Sequence, residues 1–365
     1  MIPVAQPSFG VKEKQYLKST IDSGWISSKG EFIEKFENAF AKKYKVGYAI
    51  AVSNGTAALH LALKALDIGQ GDEVIVPNFT FISSANAIIH AGAKPVFVDV
   101  EKETWNIDPQ DIERKITPKT KAILPVHLYG HPANMDSVMK IARKNNLKVI
   151  EDCAESQGAK ANGSFVGSIG DIGCFSFFGN KIMTTGEGGM CTTNSKKLAE
   201  KIRILRSHGM DPKKRYHHPV VGFNYRMTNM QAAVGLGQLE SVDKFIAKRD
   251  KIKIAYEKNL RGLIKSQKIQ TTPKATWASP VCWFYSILVA KNKRDSLMKF
   301  LEKNGIETRP FFPPITTQEA YKQYAKTKTP VSEDLAKRGI NLPTYFGLKN
   351  RDVEKICKLI KEFLK

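Results

Sequence analysis

The chain has 365 residues, 42% hydrophobic and 25% charged, enough to bury a large core and to build two domains. No run of about 18 consecutive apolar residues occurs, and the start lacks the basic and apolar blocks of a secretory leader, so a cytoplasmic protein that neither crosses nor binds a membrane is expected. The formal net charge of +22 is spread along the chain apart from the basic run at residues 213–215 and the C-terminal helix, which favours attraction of an anionic small substrate over nucleic-acid binding.

Residues 1–46 read as mostly helical, interrupted at 23–30, where Trp25 is either a packing anchor or part of a binding rim. From Tyr48 onward short apolar strands alternate with amphipathic helices: strand 48–53, helix 55–66, strand 72–77, helix 83–91, strands 95–100 and 122–127, helix 134–144, strand 148–153. That alternation predicts a mainly parallel sheet covered on both faces. Ligands bind such sheets at the carboxyl ends of the strands. The residues there are Ser53-Asn-Gly-Thr56, Asn78-Phe-Thr-Phe81, His127 and Glu151-Asp-Cys-Ala-Glu155, and they are expected to converge on one crevice with Lys181.

Lys181 lies between an aromatic strand at 174–178 and the glycine-rich turn 185–189, which leads to a strand at 190–193. A lysine on a tight, apolar, Gly-flanked segment is poorly solvated, and burial makes its amine a nucleophile for Schiff-base chemistry; a plain surface lysine is the competing reading. Beyond Asn229 a helix leads into a long basic helix ending near Leu260. A strand at 283–290, a helix at 294–304, a Pro turn from 342 and a final helix then form an α+β appendage, with the domain boundary near 245, so that residues 1–245 and 246–365 form a large and a small domain.

Ser53-Asn-Gly-Thr56 runs from strand to helix, where bare helix-start amides and hydroxyls can seat a phosphate or merely cap the helix. It is neither a Walker loop nor a dinucleotide fingerprint. Asp152, buried at a strand end, needs a cationic partner. No His/Asp cluster stands at metal-ligand spacing and the five scattered cysteines form no C-x-x-C pair, so no metal is expected and a protonated pyridine nitrogen is the better candidate. Lys181, Asp152, the seat at Gly55 and Thr56, and Phe81 to stack on a ring together describe a pyridoxal 5'-phosphate site.

Ser53-Asn-Gly-Thr-Ala-Ala-Leu59, Glu151-Asp-Cys-Ala-Glu155, Ser176-Phe-Phe-Gly-Asn-Lys181 with Thr185-Gly-Glu-Gly-Gly189, and Gly222-Phe-Asn-Tyr-Arg-Met-Thr-Asn229 resemble the motifs of the sugar-nucleotide aminotransferases of the DegT/DnrJ/EryC type. Within that family, Thr104-Trp-Asn-Ile-Asp-Pro109, the stretch from His127 to Asp136, Arg206-Ser-His-Gly-Met210 and Thr308-Arg-Pro-Phe-Phe312 are most similar to the GDP-perosamine synthases. The resemblance implies the aspartate-aminotransferase fold and amino transfer from L-glutamate to GDP-4-keto-6-deoxymannose, with UDP-4-keto-6-deoxyglucose, giving viosamine, as the alternative. A sugar dehydratase of the same fold usually has histidine in place of Lys181, and a non-catalytic regulator would not need the intact lysine, aspartate and phosphate seat.

It further implies that Lys181 carries the cofactor, Asp152 pairs with its ring nitrogen, Glu155 lies near its ring oxygen and Phe81 covers its face. Gly55, Thr56 and Ser176 would hold the phosphate, with Asn224 reaching it from the second subunit of a homodimer. Arg309 and Trp25, Ile26, Ser27 and Ser28 would lie toward the sugar nucleotide. Thr316 stands where many relatives have a histidine, a departure on the sugar side.

Overall fold

In the computed structural model, which describes residues 1–326 and 328–365, the apolar segments after residue 47 pair into a seven-stranded sheet. Its strands are β1 (Tyr48–Val52), β2 (Glu73–Pro77), β3 (Lys94–Val98), β4 (Thr120–Ile123), β5 (Lys148–Asp152), β6 (Ile172–Ser176) and β7 (Gly189–Thr193), in the order β1-β7-β6-β5-β4-β2-β3. Only β7 runs against the rest, pairing antiparallel with β1 and β6 while β6, β5, β4, β2 and β3 are parallel. Strands β2, β6 and β7 are buried at every position, as a sheet covered on both faces requires.

Two strands of this sheet depart most from the sequence reading. The strand expected to reach 127 stops at Ile123 because Pro125 has no N–H to give the ladder, although the Pro125 carbonyl still accepts the Asp152 amide at 2.9 Å. The aromatic strand starts two residues earlier, at Ile172, and stops at Ser176, so Phe177 and Phe178 already belong to the loop that carries Lys181.

Helix Gly55–Ala65 packs on β6 and β7, opened by Asn54, whose Oδ1 accepts the Ala57 amide at 2.8 Å. Helix Glu31–Tyr44 drives Phe36, Phe40 and Tyr44 into the same core, where they meet Phe175 and Phe177.

The sequence reading of one helix leading into another is corrected: Asn229–Lys265 is a single unbroken helix, started by reciprocal hydrogen bonds between Thr228 and Gln231. Gly237 lets helix Val11–Asp22 approach it, since a Cβ there would stand 2.8 Å from Glu13 Cγ. The N-terminal half buries Ala232, Leu236 and Leu239 in the core of the large sheet, and the other half buries Ile252, Tyr256 and Leu260 in a second cluster. Residue 245 therefore falls inside a helix that serves both cores. The second cluster lies under a four-stranded antiparallel sheet of β8 (Gln270–Thr271), β9 (Tyr285–Leu288), β10 (Arg309–Pro310) and β11 (Gly339–Leu342), ordered β8-β9-β11-β10. Leu342, read from sequence as the start of a turn, is the last residue of β11. Among the described residues no helix is long and apolar enough to cross a membrane.

Candidate active site

A cavity of about 680 Å³ opens at the carboxyl ends of β1, β5 and β6, walled by Gly55, Thr56, Phe81, Asp152, Glu155, Ser176, Lys181 and Arg309. Residues far apart in sequence are thus gathered by strand order alone. At one end the first turn of helix Gly55–Ala65 presents Gly55 and Thr56 beside Ser176, with the Thr56 hydroxyl donating to Ser83 Oγ at 3.0 Å. The missing side chain of Gly55 is required, because a Cβ there would lie 2.8 Å from the Cβ of Ser176.

Asp152 is buried, and its oxygens accept the Ser84 hydroxyl (2.8 Å) and the Ala154 amide (3.1 Å). Burial raises its pKa against those two bonds and the pull of Lys181. Glu155, also buried, accepts the Tyr129 amide at 2.9 Å and is pushed up to about 7, chiefly by burial, with Lys181 and the Tyr129 amide opposing. Tyr129 itself sits in the left-handed region at φ 48°, an unusual conformation for a bulky residue that aims its N–H at this carboxylate. Burial lowers the pKa of Lys181, offset in part by Glu155 and Asp152 and reinforced by Arg309. Its Nζ lies 4.0 Å from the centre of the Trp283 ring.

His127 departs from the sequence reading. It is fully buried and outside the cavity wall. Its Nδ1 accepts the Ala133 amide at 3.0 Å, which leaves the ring proton on Nε2 to be donated to Glu151 at 3.0 Å. Glu151 also accepts the amides of Gly167, Ile169 and Gly170 at 2.8, 2.8 and 2.7 Å. His127, Glu151 and Cys153 bring ligand atoms within 4.8 Å of one another, but their lone pairs and protons are already committed, and the group ties the loop before β6 to β5.

Asn224, residues 25–28 and Thr316 lie outside the wall of this chain's own cavity. Asn224 is exposed, with Oδ1 accepting from Arg226 at 3.2 and 3.3 Å. Trp25, Ile26 and Ser27 are exposed and Ser28 half-buried, in a loop whose Trp25 and Ser27 carbonyls both accept from Asn229 at 2.6 Å. Thr316, the departure noted on the sugar side, accepts Asn78 Nδ2 at 2.8 Å and returns its own amide to Asn78 Oδ1 at 3.0 Å. It acts as a clasp between the appended segment and the end of β2.

Sequence reasoning missed Ser84, Tyr129 and Trp283. Tyr129 left a signal, since it precedes Gly130 in a motif already singled out; Ser84 and Trp283 left none, because only folding brings them to Asp152 and Lys181.

The walls fit pyridoxal phosphate. A buried carboxylate whose pKa burial raises is completed by a cation such as a protonated ring nitrogen, helix-start amides and hydroxyls match a phosphate, and a half-buried lysine stands between them.

The sequence pattern described as the DegT/DnrJ/EryC1/StrS aminotransferase family matches residues 7–361. GDP-perosamine synthase of Escherichia coli O157:H7 is 50% identical over 363 residues, covering 99% of this chain and 98% of the relative. GDP-perosamine synthase of Caulobacter vibrioides is 47% identical over 366 residues, covering 100% and 98%. Among solved structures, S. venezuelae DesV in complex with a ketimine intermediate superposes with a TM-score of 0.91 at 34% identity, covering 97% of this chain and 94% of that one.

Proposed function

The chain belongs to the DegT/DnrJ/EryC1/StrS aminotransferase family, a family of pyridoxal phosphate-dependent enzymes acting on sugars, and we propose that it transfers the amino group of L-glutamate to C-4 of GDP-4-keto-6-deoxymannose, giving GDP-perosamine and 2-oxoglutarate. Identity of 47–50% over nearly the full length to proteins named GDP-perosamine synthase supports the substrate. The observation that carries the chemistry is Lys181 in one cavity wall with the buried carboxyls of Asp152 and Glu155.

When bound, pyridoxal phosphate supplies an electron sink for the carbon that loses its proton. Asp152 keeps a proton at the ring nitrogen, which that sink requires. Gly55, Thr56 and Ser176 would hold the phosphate, with Phe81 and Glu155 in the same cavity wall to contact the ring. Lys181 Nζ would take the proton from the α-carbon of glutamate as general base and hold it for delivery as general acid. The same amine runs the shift in reverse on the keto-sugar. Arg309 offers the cavity a cation for the nucleotide's diphosphate.

Asn224 and residues 25–27 are exposed and Ser28 is half-buried, all outside the wall of their own chain's cavity, so we assign them to the cavity of a second copy in a homodimer. The exposed apolar side chains Trp25 and Ile26 of this loop, at 57 and 46%, and Val221 near Asn224, at 91%, suit such a contact.

The absorption spectrum of the purified protein tests the reading. A yellow band that bleaches with L-glutamate and returns with GDP-4-keto-6-deoxymannose is the expected result. Return only with UDP-4-keto-6-deoxyglucose moves the product to viosamine, and a colourless protein that cannot take up pyridoxal phosphate overturns the cofactor site.

A further inference from the structure

Trp283 holds the segment that carries Lys181 at two successive residues. Its indole N–H donates to the Asn180 carbonyl at 2.8 Å, and its ring face lies under Lys181 Nζ at 4.0 Å. The side chain is buried, with Phe284 packed on it at 4.3 Å and Tyr129 stacked at 6.3 Å, and Arg249 Nη1 bonds the Trp283 backbone carbonyl at 2.7 Å. From this geometry we propose that Trp283 is a positioning residue for the proton transfer, a platform on which the Lys181 ammonium rests between taking a proton from one carbon and delivering it to the next.

The proposal rests on the assignment of Lys181 as the proton-moving amine. In that step a C–H bond breaks, its electron pair stays with the carbon skeleton, and an N–H bond forms on Nζ, which becomes a cation in a buried place. The groups facing that cation are Asp152 and Glu155, which favour it, and Arg309, which opposes it; Arg249 lies behind the indole, bonded to backbone carbonyls. The negative face of an indole stabilises an ammonium without forming a bond that must later be broken, and it leaves the N–H protons free to point at the substrate. A third carboxylate would hold the proton too tightly to return it. The indole N–H bond to Asn180 fixes the backbone from which Lys181 swings, so the resting place and the pivot are set by one side chain.

The test titrates Lys181 directly. In cofactor-free protein, the rate of pyridoxal phosphate capture is followed against pH, with Lys181→Ala as background. Trp283→Leu is expected to move the midpoint down by about one pH unit, the size of a desolvated cation–π contact. Trp283→Phe keeps a ring face and should recover most of the shift. In single-turnover reaction with L-glutamate, Trp283→Leu should slow proton transfer roughly tenfold with little change in glutamate affinity. Should Trp283→Leu fail to fold, biosynthetic fluorotryptophan, which weakens the ring face at nearly constant shape, should lower the midpoint in step with fluorine number. A midpoint unmoved by loss or fluorination of the ring overturns the proposal. Wild-type protein that captures no pyridoxal phosphate would instead overturn the cofactor site on which it rests.

Discussion

Glu155 shows how a single buried carboxyl can set the pH behaviour of the site. Its pKa is pushed up to about 7 mainly because burial penalises the anion. Between the unfolded value near 4.5 and 7 the folded chain binds more protons than the unfolded one, so stability is fully present below that window and is lost as pH rises through 7. Glu155→Gln removes this loss, and its amide oxygen can still accept the Tyr129 N–H. The difference in melting temperature between variant and wild type, measured without cofactor, should therefore grow in the variant's favour from pH 5 to pH 8, by an equivalent of roughly 2 kcal/mol. A difference that does not grow with pH would mean that the carboxyl is ionised throughout. Lys181→Ala should abolish turnover, because one amine serves both halves of the reaction; residual transamination above the nonenzymatic rate in a coupled 2-oxoglutarate assay would show another base at work. Lys181, Asp152 and Glu155 could be read from the chain because each lies in a short motif at a strand end. Trp283 could not: its role depends on the segment just before β9 being folded against Lys181, and nothing in its neighbours foretells that.

At the scale of elements, periodicity was informative where burial is a property of one segment and uninformative where it is a property of a pair. The strands and helices from 48 to 152 each carry their own apolar face, and their order predicted the crevice. β11 contains Asn341, a polar residue buried only because its Oδ1 accepts the Ser286 hydroxyl at 2.6 Å across the sheet, so it does not announce itself as a strand. Asn229 is a similar case. As the first residue of the long helix it looks like an ordinary start, but its amide donates to the Ser27 carbonyl, its Nδ2 to the Trp25 carbonyl, and its Oδ1 accepts the Phe32 amide at 3.0 Å. It is the knot that holds residues 25–32. Asn229→Ala removes two of these bonds, at a cost of about 2 kcal/mol, and leaves the cofactor side intact. The expected result is a KM for the nucleotide sugar raised roughly tenfold through loss of loop positioning, with the glutamate half-reaction unchanged in single turnover. Equal loss in both halves would place the loop's influence on the cofactor instead of the sugar.

At the scale of the whole molecule, the cavity of one chain has few cations for a diphosphate, although the chain carries a formal charge of +22. Asn224 lies at the root of the basic loop of residues 213–215, and the neighbouring Tyr225 carbonyl accepts the Ser53 amide at 2.8 Å, next to the phosphate seat. The rim of the cavity and the exposed loop are thus one continuous piece of chain, placed so that the loop can serve a neighbour. If Asn224 acts across a two-fold interface, a dimer of one Lys181→Ala chain with one Asn224→Ala chain gathers both faults in a single site. The site that keeps its own Lys181 receives an intact Asn224 from the lysine variant, whereas the other site lacks both. Refolding the two inactive variants together should then restore roughly a quarter of wild-type activity, since half of the randomly formed dimers are mixed and each mixed dimer has one whole site. Either variant refolded alone should stay at its own low level. Asn224 acting within its own chain predicts no gain on mixing at any ratio, because every site would then have a fault that its partner cannot repair.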